Sequence, residues 1–146
     1  MKNNRKFVRR HFTLTELMVV IVILVMLASL SAPMVFRHIR NAKISTAKTQ
    51  IKLLEQALTD YKLDTGKYPD GDAGLQALVE NVDETAKWDG PYLKPAVPKD
   101  PWGNDYNYVC PGEHGDFDLS SYGADGVEGG EGENADITNW IEADGE

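Results

Sequence analysis

Two places in this 146-residue sequence set charged side chains where their chemistry has consequences. The first is Glu16, the single acid among residues 1–43, at the mouth of a run in which every residue from Leu17 to Ala28 is apolar. A carboxylate near the centre of a lipid layer costs about 2.5 to 3.5 kcal/mol, so Glu16 calls for a positive partner. A new α-amine at Phe12, four residues earlier and on the same side of a helix, would supply one after cleavage behind His11. Paired within one chain or between neighbouring copies, the two charges neutralise each other in lipid; the plainer alternative is that Glu16 reaches out to the aqueous interface. The second place is Asp125–Asp136, where Asp125, Glu128, Glu131, Glu133 and Asp136 stand among glycines. Such a stretch builds no core, and its acids repel unless a hard cation gathers them. Calcium suits it, with its six to eight oxygen ligands in flexible geometry, although no EF-hand spacing is present; a solvated acidic loop is the alternative.

Little else in the chain is reactive. The single cysteine, Cys110, has no partner for an internal bridge and reads as a small strand residue. The three histidines, His11, His38 and His114, are scattered without zinc-ligand spacing, and neither a Ser/His/Asp order nor a glycine-rich phosphate loop stands out. This points to a structural protein and not an enzyme. The net charge of -8 conceals a gradient: residues 1–43 carry eight Lys or Arg against one acid, residues 44–99 seven against nine, and residues 100–146 none against thirteen. So acidic a C-terminal half excludes nucleic acid as its partner and favours a cation.

The elements that must position these residues follow from hydropathy. Residues 1–11 form a basic leader with Lys2, Arg5, Lys6, Arg9 and Arg10, and residues 12–36 are mostly apolar. At ~1.5 Å per residue, those 25 residues cross a ~30 Å bilayer core, and the basic leader predicts a cytoplasmic N-terminus with the remainder, residues 37–146, on the far side. Arg37, Arg40 and Lys43 oppose that orientation slightly. An ordinary secretory signal cut near Ser29, Ser31 or Ala32 is the competing reading, and it leaves Glu16 without a purpose.

Beyond Pro33 the apolar residues become periodic: Ile44, Ala47, Ile51, Leu54, Leu58 and Tyr61 predict an amphipathic helix with one buried stripe. Gly66 and Pro69 stop it, so anchor and stalk form one helix of roughly 50 residues. Asp72 is placed to cap a short second helix through Val79. Residues 81–99 read as loop, and Tyr106–Val109 with Phe117–Ser121 predict an antiparallel hairpin packed on the stripe. The fold class is α+β, a long N-terminal helix on a small antiparallel sheet.

Several motifs carry a family resemblance. The string from His11 to Val20 (HFTLTELMVV) resembles the class III leader junction of type IV pilins and type II secretion pseudopilins. The blocks YKLDTGKYP (61–69), KDPWGNDY (99–106), SYGADG (121–126) and DITNW (136–140) follow in order. Together they resemble the major pseudopilins of type II secretion from Phe12 to Trp140. The resemblance implies a type IV pilin-like fold and a prepilin peptidase that cuts between His11 and Phe12 and methylates Phe12. It also implies a subunit-register role for Phe12 and Glu16 and a helix-adapting role for Pro33. His11 departs from the family's glycine at that junction.

The resemblance further implies calcium in loop 122–136, held by the carbonyls of Tyr122 and Val127 and the carboxylates of Asp125 and Asp136. A third family carboxylate corresponds to Ala135, a place that Asn134 or Glu133 would have to fill. The implied partners are further copies of the chain, minor pseudopilins, the prepilin peptidase and the inner-membrane secretion platform, in a filament that drives folded proteins across the outer membrane. A type IV pilin for adhesion or motility is disfavoured because a lone Cys110 cannot close the usual C-terminal disulfide loop. A secreted calcium-binding domain is the remaining alternative.

Overall fold

The computed structural model describes residues 12–140, the side chains of residues 30–32 excepted. The chain divides into two units, Met1–Ile39 and Arg40–Glu146, and one helix, α1 (Leu14–Thr65, 52 residues), contributes to both. Its start is capped by Thr13, whose Oγ1 accepts the main-chain N–H of Glu16 at 3.2 Å while its carbonyl accepts that of Leu17 at 3.3 Å. Capping satisfies N–H groups that a first helical turn otherwise leaves open. At the other end Gly66, with φ of 88°, donates its N–H to the Lys62 carbonyl at 2.8 Å and closes the helix where the sequence predicts.

Among the described residues of the first unit the large apolar side chains are exposed. Phe12, Leu14 and the large residues from Leu17 to Leu27 are each 47–77% exposed. No single helix among the described residues is long and apolar enough to cross a membrane; Leu14–Ser29 and Pro33–Thr65 meet that test only together, as a bent pair. Pro33, inside α1, brings no N–H to the helical ladder.

In the second unit the predicted stripe is the core. Ala47, Ile51, Leu54, Leu58 and Tyr61 are buried, Ala57 joins them and Ile44 packs at their margin. Leu75, Ala77 and Leu78, together with Tyr106, Phe117, Leu119 and Ile137, complete the cluster. The segment after Asp72 is a five-residue 3-10 helix, Gly74–Leu78, and not a capped α-helix: the cap position falls on Ala73, with no side-chain bond. Its last carbonyls face the following loop: Trp88 Nε1 donates to Ala77 at 2.9 Å and the Tyr92 N–H to Leu78 at 2.8 Å.

The sheet has three antiparallel strands in the order β1 (Asn107–Val109), β2 (Asp118–Ser121) and β3 (Ile137–Thr138). β1 and β2 are the predicted hairpin, with Tyr108 opposite Leu119. Tyr106 and Phe117, expected to open the two strands, stand one residue outside them as core side chains. β3 was not expected. It pairs Thr138 with Ser120 and Ile137 with Ser121. Two phenols tie the hairpin down: Tyr106 donates to Gln50 Oε1 at 2.7 Å and Tyr108 to the Pro69 carbonyl at 2.9 Å. Burial pushes both phenols well above their ordinary pKa, so they remain hydrogen-bond donors at any physiological pH.

Candidate functional site

The acidic loop is closed by the third strand. β2 and β3 pair Ser121 with Ile137, the residues that flank loop 122–136, and so draw its two ends together as a neck. Just inside, Ala124 donates its N–H to the Glu133 carbonyl at 3.0 Å. Gly123, with φ of 64°, lies so near the returning chain that a Cβ there would stand 2.7 Å from the Glu133 carbonyl oxygen and 2.9 Å from the Asn134 carbonyl carbon. Only glycine accommodates both the left-handed backbone and that approach.

The two carboxylates implied as ligands are held differently. Asp125 Oδ1 accepts the Val127 N–H at 3.2 Å, a local turn that folds the start of the loop. Asp136 Oδ2 accepts the Gly129 N–H across the loop at 2.9 Å. Asp136 Oδ1 is buried and has no hydrogen-bond partner, alone among the buried side-chain polar atoms of the described residues. An unpaired buried carboxylate oxygen is costly, and a cation is the ligand it would accept.

Of the two residues offered for the missing third carboxylate, Glu133 is engaged elsewhere: its Oε1 accepts the indole N–H of Trp102 at 3.0 Å. Asn134 is exposed and lies beside Gly123 at the neck of the loop. No group of three His, Cys, Asp or Glu side chains among the described residues is arranged for a metal. Asp125, Asp136 and Asn134 carry carboxylate and amide oxygens, donors of the hard kind that calcium takes and that structural zinc sites seldom use.

Asp136, Tyr122 and Glu128 line a cleft of about 760 Å³ together with Glu113, His114 and Asp118. Burial opposes charge on Asp118. The His114 ring at 2.9 Å and the N–H groups of Glu113 and His114 outweigh it and hold this carboxyl below its ordinary value of 3.8. His114 in turn stacks on Trp140, ring centres 4.2 Å apart and planes 1° from parallel. A depressed carboxyl pKa contributes stability that is full above the unfolded value and is lost as pH falls through the folded one. Asp118→Asn should therefore flatten the acid limb of the stability profile below about pH 4, read from melting curves between pH 3 and 6. An acid limb as steep as that of the wild type would refute this assignment.

At the opposite end of the sequence, Phe12 and Glu16 are both exposed, and no ionic partner for Glu16 exists among the described residues. His11 lies outside the described residues, as does the acidic tail with Glu142, Asp144 and Glu146.

A long N-terminal helix whose apolar first part is bare and whose second part packs on a small antiparallel sheet is the type IV pilin-like architecture. The solved structure of the major pseudopilin from the type 2 secretion system of enterohaemorrhagic Escherichia coli has this fold at TM-score 0.57 and 37% identity, over 68% of this chain and 88% of that one. The family described as type II secretion system (T2SS), protein G matches residues 34–140. The type II secretion system core protein G of Vibrio cholerae is 49% identical over 143 residues, 96% of each chain. That of Pseudomonas aeruginosa is 50% identical over 134 residues, 88% of this chain and 93% of its own. The chain belongs to the type II secretion system protein G family, the major pseudopilins.

Proposed function

We infer that this chain is the major structural subunit of a type II secretion pseudopilus, polymerising from the inner membrane to drive export of folded proteins across the outer membrane. The observation that carries the reading is the bare apolar half of α1 on a chain that matches core protein G almost end to end. An apolar surface of this extent calls for lipid before assembly and for neighbouring copies of the same helix after it.

In this reading the chain crosses the inner membrane once, with its basic leader in the cytoplasm and its head in the periplasm. The leader is removed between His11 and Phe12 by a prepilin peptidase, and Phe12 is methylated. Glu16 of one copy then pairs with the Phe12 amine of a neighbour and sets the axial step. Pro33, lacking an N–H, lets the helix adapt as subunits leave lipid for the filament. Minor pseudopilins and the inner-membrane platform are the further partners.

Calcium is the proposed resident ion of loop 122–136, held by Asp125, Asp136, Asn134 and the carbonyls of Tyr122 and Val127. When bound it supplies positive charge that offsets the loop's acids and joins the two ends of the loop. The orphaned Asp136 Oδ1 and the neck geometry support this.

N-terminal sequencing and intact mass of the mature protein test the reading. The expected result is a first residue of Phe12, heavier by one methyl group; a first residue near Ala32 would mean a secreted domain, and the filament reading would fall.

A further inference from the structure

Besides the bonds within loop 122–136, a separate turn about twenty residues earlier in the sequence grips both of its limbs. In the turn from Lys99 to Asn104, the Asp100 N–H donates to the Asn104 carbonyl at 2.9 Å. Asp100, 4% exposed, is surrounded by donors. Its Oδ1 accepts the N–H groups of Trp102 at 3.0 Å and Asn104 at 2.8 Å, and its Oδ2 accepts the Ser121 hydroxyl at 2.6 Å. Ser121 is the last residue of β2, and its Oγ accepts the Gly123 N–H at 3.3 Å.

Asn104 reaches the same place directly, with its Nδ2 donating to the Gly123 carbonyl at 3.0 Å. The returning limb is caught by Trp102, whose indole N–H donates to Glu133 Oε1 at 3.0 Å. The turn thus touches Gly123 beside the Tyr122 carbonyl and Glu133 beside Asn134, one contact on each limb of the neck. In these contacts Asp100, Trp102 and Asn104 act through hydrogen bonds to the chain around the loop.

We propose that Asp100, Trp102 and Asn104 are positioning residues for calcium, presetting the neck of loop 122–136 and thereby setting its affinity for the ion. The proposal rests on the calcium reading given above. Its physical basis is that groups orienting a metal's ligands typically contribute about 10- to 100-fold in affinity, because a preset site orders fewer groups on binding. Asp100 is the keystone, but with three donors on one buried carboxylate its replacement risks the fold. Trp102→Phe and Asn104→Ser each remove one grip on the loop and leave Asp100 and its bonds in place.

The test uses the full-length protein in detergent micelles, titrated with calcium chloride after chelation and followed by calorimetry. Melting curves in chelator are recorded alongside. The expected result is a calcium Kd raised about tenfold or more in each variant, with a metal-free melting temperature equal to that of the wild type. A role in fold stability alone would reverse this pattern, lowering the metal-free melting temperature and leaving the Kd unchanged, and would overturn the proposal. Wild-type protein that takes up no calcium would overturn the metal centre itself, and the brace with it. Wild type that binds while both variants bind equally well would overturn the brace alone.

Discussion

Glu16→Ala is expected to insert in the membrane and to be cut before Phe12, yet to yield almost no filament. The main-chain N–H of Glu16 that bonds Thr13 survives the change, so the start of α1 is kept. What disappears is the one carboxylate facing an apolar helix half. If it is paired in the filament with a neighbour's Phe12 amine, its removal leaves a bare ammonium in lipid. Deleting one partner of a buried ion pair costs about 3 to 5 kcal/mol. That is more than about a hundredfold in the association constant at each subunit contact, repeated along the whole assembly. Glu16→Gln should fail nearly as badly, because it keeps the shape and loses the charge. The measurement is the sheared filament fraction and electron microscopy, beside N-terminal sequencing to show that processing is intact. Normal filaments from either variant would exclude the register role of Glu16.

The second large effect concerns the metal. Calcium at about a hundred times its Kd stabilises a protein that binds it only when folded by about 2.7 kcal/mol. For a head of this size that is on the order of ten degrees in Tm. Full-length protein in detergent should lose that increment on chelation and regain it when calcium is restored. Asp136→Ala should melt in chelator close to the wild type, since it removes a buried oxygen that had no partner along with the bond to Gly129. Added calcium should then raise its Tm by far less than it raises that of the wild type. Melting curves of the wild type that coincide with and without calcium would eliminate the metal centre.

The parts of the head that could be read in advance are those governed by local periodicity. The spacing of Ala47, Ile51, Leu54, Leu58 and Tyr61 is the core stripe itself, and Gly66 ends the helix because a left-handed residue is needed there. Two strands separated by a turn at residues 111–115 were legible for the same reason. Thr13 as the cap of α1 was within reach, since Thr followed three residues later by Glu is a helix-start signal.

Longer-range features were not legible. β3 is two residues long, too short for an alternating pattern to register, and it exists only because Ser120 and Ser121 offer it an edge. Asp72 reads as a cap because cap preference is local, whereas the cap position falls on Ala73 and the segment packs against Trp88 and Tyr92 of the following loop. The bonds from Asp100, Trp102 and Asn104 span between 19 and 31 residues to the loop, and nothing in a linear reading predicts them. The proposed ligands come from the family resemblance; the unpaired oxygen on Asp136 is a property of the folded chain alone.

The order in which the strands occur along the chain has a consequence for biogenesis. Leu119 exchanges main-chain and side-chain bonds with Asn139, its N–H donating to Asn139 Oδ1 at 2.8 Å and its carbonyl accepting the Asn139 N–H at 3.0 Å. Until residues 137–139 arrive, the hairpin presents β2 as an open margin with unmet donors and acceptors. A nascent or prematurely terminated copy is therefore sticky along one flank, and only a fully threaded polypeptide seals it.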